Sequence, residues 1–103
     1  MQLLIETLCQ KNRDSFDDFY AIYSVSFPQS EQKSKEDLLM MLHSFNYTIF
    51  ISKIETQMVG FCIIFHSEQT SFYLLEYMAI DVAQRSLGIG SKLFFHAIAQ
   101  TFN

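Results

Sequence analysis

The sequence predicts an α+β layered domain, a mainly antiparallel sheet flanked by helices, in the order strand, helix, helix, strand, strand, strand, helix. Three observations carry that reading. The β-branched and aromatic runs Tyr47 to Ile54 and Met58 to His66 flank the turn Glu55-Thr56-Gln57, the pattern of a β-hairpin. Phe16, Phe19, Tyr20, Tyr23 and Phe27 recur at the spacing of one helical face. The stretch Phe72 to Phe102 reads as an apolar strand, a polar connection with two close glycines, and a second amphipathic helix.

Taken in order, Gln2 to Cys9 is the first strand and Lys11-Asn12-Arg13 a polar break. Asp14 is positioned to cap a helix, with Asp17 favouring its positive end. Pro28 stops that helix, because proline has no N–H to donate within one. The aromatic stripe reads as core packing, although one or two of its tyrosines at the helix end are placed to line a cleft. Gln29 to Lys35 is a polar connection. Ser34 with Asp37 marks a second helix start, whose apolar face is Leu38, Leu39, Met41 and Leu42. His43 falls near that helix's C-terminus, where a histidine interacts with the terminal carbonyls. Gly60 marks a bulge or a close approach to a helix. His66 reads as a solvent-facing loop histidine. Phe72 to Ile80 is almost wholly apolar apart from Glu76, as expected of a strand buried on both faces. Asp81 to Ser86 is a polar turn. From Gly88 onward Ile89, Leu93, Phe94, Ala97 and Ile98 form one helical face.

Composition narrows the function classes. The 103 residues form a single domain, 1–103, and half of them are hydrophobic, enough to fill one core. A net charge of −4 argues against a nucleic-acid surface, which needs clustered Lys and Arg. Cys9 and Cys62 lack CxxC spacing and read as small buried hydrophobes in a reducing compartment. The N-terminus MQLLIETL is too short and acidic for a signal peptide. A cytoplasmic, membrane-free protein is therefore expected. No His/Cys/Asp/Glu cluster has metal-ligand spacing, so no metal is expected.

The connection Arg85-Ser86-Leu87-Gly88-Ile89-Gly90 has the character of an anion cradle. The first N–H groups of a helix have no partner within it, and the helix dipole adds partial positive charge there. Gly88 and Gly90 carry no side chain, so a phosphate can approach the backbone. By itself, RxxGxG is equally an ordinary strand-to-helix turn. It is neither a Walker loop nor a complete dinucleotide fingerprint.

Tyr77-Met78-Ala79-Ile80-Asp81, Gln84-Arg85, Gly88-Ile89-Gly90 and Leu93 together resemble motif A of the GNAT superfamily of N-acetyltransferases. The upstream order of elements is similar too, and Met58-Val59-Gly60-Phe61 resembles the start of the family's third strand. The resemblance implies acetyl-CoA as co-substrate and acetyl transfer to a primary amine, on a small molecule or peptide. It assigns the pyrophosphate to the backbone N–H groups of Arg85, Ser86, Leu87, Gly88, Ile89 and Gly90, with Ser91 joining. It assigns the pantetheine arm to the strand backbone at Met78, Ile80 and Val82.

Acetyl transfer needs a neutral amine, hence a base. Glu76 is the charged side chain of the motif strand, and strict alternation would place it with Leu74, Met78 and Ile80, where apolar surroundings raise a carboxylate's pKa. The open alternative is that Glu76 is a satisfied rim residue or pairs with a basic side chain. The family's domain continues past this helix with a strand, a helix and a hairpin, which have no counterpart in these 103 residues. A second reading therefore stands beside the enzyme: a CoA-binding or interaction module without turnover. The missing neighbour also leaves the motif strand an apolar edge, and Phe94, Phe95, Ile98 and Phe102 cannot all be buried by this chain. A homodimer through the motif strand and helix is expected on that ground.

Overall fold

Residues that alternate between two apolar faces need cover on both, and the chain supplies it by splitting its helices. The computed structural model describes residues 2–85 and 88–101. Strands β1 (Leu3–Thr7), β2 (Tyr47–Ile54), β3 (Gln57–His66) and β4 (Tyr73–Ile80) pair in sequence order, each antiparallel to the next. Helices α1 (Phe16–Ser26) and α2 (Lys35–Met41) cover one face. Helix α3 (Ile89–Thr101) covers the other. The element order and the flanked antiparallel sheet are those read from the sequence.

The larger core lies under α1 and α2. Phe16, Phe19, Tyr23, Leu38 and Met41 meet Ile49, Ile51, Phe61 and Ile63 from the sheet. Its centre is aromatic: the Phe19 and Phe61 rings meet edge to face at 4.9 Å, and Tyr77 meets Tyr23 at 5.2 Å and Phe27 at 5.0 Å. Under α3, Leu93 and Ala97 pack on Phe50, Cys62 and Ile64. Burial pushes the Cys62 thiol up to about 12, which makes it an inert core group.

Several local expectations change. The strand buried on both faces is β3, not the stretch Phe72 to Ile80: residues 58–64 are all buried, whereas Phe72, Tyr73, Leu74 and Leu75 are exposed. Apolar content is similar in the two strands. Position in the sheet separates them, because β3 has neighbours on both sides and β4 has one among the described residues. Asp14 does not cap α1. A 3₁₀ segment (Gln10–Ser15) intervenes, and Ser15 takes the cap position without a side-chain bond. Cys9 lies past the end of β1, its N–H donating to Asn12 Oδ1 at 2.7 Å. Ser34 does cap α2, its Oγ accepting from the Asp37 N–H at 3.1 Å. His43 is exposed just past the C-terminus of α2, its backbone N–H donating to the Met40 carbonyl at 3.1 Å and its ring Nε2 meeting the Gln10 side-chain amide at 2.6 Å. His66 is the last residue of β3, half-buried, with its ring 5.7 Å from Tyr73.

Gly60 sits beside a register shift that leaves Val59 as the extra residue of β3 opposite Ser52 and Lys53. Its close neighbour is β4, not a helix. A Cβ at Gly60 would lie 2.5 Å from Ile80 Cδ1 and 2.9 Å from the Ala79 carbonyl oxygen. The Ile80 side chain can rotate away, but the backbone oxygen belongs to the sheet ladder. Gly60→Ala should therefore destabilise the fold by about 1–3 kcal/mol, read as a lower midpoint in urea with an unchanged slope.

The outer edge of β4 and its apolar flanks meet the premise of the expected pairing with a second copy. On α3, Phe95 is exposed, as that expectation required of at least one of its aromatics, and Phe102 lies outside the described residues. The pairing itself is a proposal. Sedimentation velocity decides it: a concentration-dependent shift from the 12.0 kDa monomer supports it, and a concentration-independent monomer removes it.

Candidate functional site

The end of β4 and the start of α3 are joined by a turn that glycine makes possible. Gly88 has φ of +73°, a conformation that costs an ordinary residue roughly 1–2 kcal/mol. Its carbonyl accepts the Lys92 N–H at 3.2 Å, which makes Gly88 the cap of α3. The N–H groups of Ile89, Gly90 and Ser91 then fall in the first turn, where a helix provides no acceptor. Residues Ile89, Gly90 and Ser91 line an open depression of about 310 Å³ together with Ile80, Gln84, Arg85 and Gly88. Arg85 folds back so that its Nε–H donates to the Ile80 carbonyl at 3.3 Å. Ser86 and Leu87, which the motif also assigned to the cradle, lie outside the described residues.

The two glycines do different work. A Cβ at Gly88 would meet no described atom within 4 Å, so backbone conformation explains this residue. A Cβ at Gly90 would only touch Ile80 Cγ1 at 3.7 Å, an ordinary contact. Nothing in the described chain requires Gly90 to lack a side chain.

A second depression, of about 540 Å³, continues from the first across Ile80 and Arg85 and is closed by Ala21, Ile22, Val25 and Ser26 of α1. The sequence reading missed this wall. Its one signal is Val25, an 83% exposed aliphatic residue on the helix side opposite the aromatic stripe. Val82 lies in the same wall and is also exposed, whereas Met78 and Ile80 face α3 through their partners Cys62 and Gly60.

Glu76 goes elsewhere. The β3–β4 register runs Ile63↔Tyr77 and then Ile64↔Leu75, so Glu76 is an extra residue without a partner across the ladder. Such a bulge breaks alternation. Leu75, Met78 and Ile80 take the α3 face, and Leu74 and Tyr77 the other. The carboxylate of Glu76 meets Lys33 Nζ at 3.3 Å, both side chains being largely shielded. The apolar company expected from strict alternation is thus replaced by an ammonium, which is the alternative left open above.

That ion pair belongs to a wider polar cluster. The Lys33 N–H donates to Tyr23 Oη at 2.8 Å, and the Tyr77 hydroxyl donates to the Glu31 carbonyl at 2.7 Å. The first bond ties the connection between α1 and α2 to α1, and the second ties it to β4. Burial alone would lower the Lys33 pKa, but the hydrogen bond and charge of Glu76 outweigh it and hold it above the ordinary lysine value. Burial raises Tyr47, and the Glu76 charge raises it further. Burial also raises Tyr23, partly offset by the Lys33 backbone bond.

The sign of the pH dependence follows. Groups whose pKa is raised on folding contribute stability that is complete below the unfolded value and lost above it. Stability should thus fall as pH rises past 10.0, where the unfolded tyrosines ionise and the folded ones do not. The fully buried Tyr23 contributes up to about 1.4 kcal/mol per pH unit in that window. Urea midpoints measured across it should fall less steeply for Tyr23→Phe than for the native chain.

An antiparallel sheet with helices on both faces, and a glycine-capped helix at the end of its edge strand, define an α+β layered domain. The family model described as "Acetyltransferase (GNAT) family" matches residues 16–103, and the chain belongs to that family. No curated protein sequence matches it. Solved structures share the fold at low identity. An aminoglycoside acetyltransferase from an uncultured soil metagenomic sample, crystallised with sisomicin, is 21% identical with a TM-score of 0.77, covering 97% of this chain and 70% of that one. A ribosomal-protein alanine N-acetyltransferase from Escherichia coli is 20% identical with a TM-score of 0.75, at 97% and 59% coverage. A tandem GNAT protein from the clavulanic acid biosynthesis pathway is 13% identical with a TM-score of 0.82, at 97% and 33%. This chain therefore spans part of the length of each.

Proposed function

We infer that this domain binds acetyl-CoA and transfers its acetyl group to a primary amine. The observation that carries the reading is the glycine-capped start of α3, whose first residues line an open depression at the end of an edge strand. Ile89, Gly90 and Ser91 would hold the pyrophosphate through backbone N–H groups, and the backbone of Met78 to Val82 would take the pantetheine arm along the free edge of β4. The trench against Ala21, Ile22 and Val25 offers that arm an apolar wall. Glu76 is the candidate base, held beside Lys33. An acceptor amine arriving as an ammonium would meet its carboxylate on the side of the sheet away from α3. When bound, acetyl-CoA supplies the activated thioester; the chain supplies the anion cradle, the strand edge and the proton acceptor. No metal has a place in this reading. No helix among the described residues is long and apolar enough to cross a membrane. A cytoplasmic setting is part of the proposal and rests on the two unpaired thiols.

Calorimetric titration with CoA tests the cradle. Gly90→Ala should keep or slightly raise the melting temperature, because alanine favours helix by up to about 1 kcal/mol, yet weaken CoA binding at least about tenfold. Gly88→Ala should lose both stability and binding. CoA affinity unchanged in Gly90→Ala would remove the cradle from this site. A thiol-release assay over polyamines, amino acids, aminoglycosides and peptide amines then tests turnover. Loss of about a hundredfold or more in Glu76→Gln supports Glu76 as the base. CoA binding without turnover on any amine would favour the module reading, in which the chain holds CoA or an acylated partner.

A further inference from the structure

The chain contains five lysines, and one is placed unlike the others. Lys11 and Lys92 are exposed. Lys35 lies 4.0 Å from the exposed Asp17, with its ammonium over the Tyr20 ring. Lys53 pairs with Glu6 at 3.1 Å and with Ser15 Oγ at 2.9 Å, on the β1 side of the sheet. Lys33 alone among them has its ammonium on a carboxylate of β4, the strand to which the acyl donor is assigned.

Its position is determined at both ends. The backbone N–H is bonded to the buried Tyr23 hydroxyl, and the head group reaches the Glu76 bulge. With the pyrophosphate at Ile89 to Ser91, the arm would run back along β4 through Val82, Ile80 and Met78, and its thioester end would lie toward Glu76 and Tyr77. β4 has no strand beyond it among the described residues, so a group lying along that edge is open to both faces of the sheet. Lys33 Nζ stands beside the candidate base, and under this reading it would lie near the donor's reactive end.

We propose that Lys33 occupies the acceptor-amine position and is itself an acetyl acceptor in cis. The proposal rests on the acetyl-CoA reading above. The Lys33 ammonium gives a proton to the Glu76 carboxylate at 3.3 Å, a separation of the kind that apo sites show before they tighten. The freed Nζ attacks the thioester carbonyl carbon. A C–N bond forms, the C–S bond breaks, CoA leaves as the thiol, and one proton is released to water. The product is a neutral amide, which ends the ion pair and leaves the Glu76 carboxylate without its cation. Modification is therefore limited to one acetyl group per chain at this position.

The test uses the native chain with acetyl-CoA and site-resolved mass spectrometry, alongside calorimetry with CoA on the same sample. The expected result is one dominant acetyl group, on Lys33, forming at least about tenfold faster than on Lys11, Lys35, Lys53 or Lys92, and slowed about a hundredfold in Glu76→Gln. Lys33→Arg, which keeps a cation beside Glu76, should abolish that product without loss of CoA binding. The comparison among lysines is internal to the native chain, so it decides the matter even if a variant folds poorly. Acetylation that follows exposure, with Lys11 and Lys92 ahead of Lys33, overturns the proposal as plain chemical transfer. CoA binding with no acetyl group on Lys33 overturns the proposal and leaves the CoA reading standing. Absence of CoA binding overturns both.

Discussion

The extra residue that Glu76 inserts into the β3–β4 ladder divides the edge strand into two regions with different tasks. On its N-terminal side, Leu75 pairs with Ile64 and faces α3; on its C-terminal side, Tyr77 pairs with Ile63 and faces α1. Without the bulge, the alternation that buries Tyr77 between Tyr23 and Phe27 would carry Glu76 to the opposite face, away from Lys33. The bulge therefore lets one strand contribute an aromatic residue to the core and a carboxylate to a polar cluster on the same side, within two consecutive positions.

That cluster also anchors the segment between α1 and α2. Its backbone is tied to the core through the hydroxyl of Tyr23 and to β4 through the hydroxyl of Tyr77. Two tyrosines whose rings pack in the core thus use their polar ends to hold a surface connection, the usual division of labour for a buried tyrosine. The alternative is an unpaired hydroxyl at the core's edge, which costs more than the bond contributes. Packing, polar satisfaction and the placement of Lys33 are consequences of the same few contacts.

The opposite end of β4 is built by closeness instead of charge. Gly60 allows the Ile80 side chain and the Ala79 carbonyl to approach β3, and Ile80 in turn touches the position where a Gly90 side chain would begin. The small residue on β3 thereby lets the strand end approach its neighbour, and the helix start packs on Ile80 at ordinary contact distance. The start of α3 and the outer edge of β4, beyond which no strand lies among the described residues, become neighbours, as the proposed ligand would require.

Much of this was legible in the residues. The hairpin, the aromatic stripe of α1, the Ser34 cap and the glycine-opened α3 each follow from local chemistry that acts within a few residues and appear where expected, except that Gln57 opens β3 and leaves Glu55-Thr56 as the turn. The family resemblance rested on the same local signal around Gly88 and Gly90. Sheet order was not legible, so the two-sided burial expected of β4 is found in β3, which is alike in composition. The bulge was not legible either. A strand's period is read by assuming that it never slips, and one unpaired residue moved Glu76 from the company of Met78 to that of Lys33, more than forty positions away in the chain. The sequence by itself determined which segments could be strand, helix or cradle, because those choices depend on neighbours along the chain. Only the tertiary structure decided which strand is the edge, which side Glu76 faces and what stands beside it, because those depend on partners that only folding brings together.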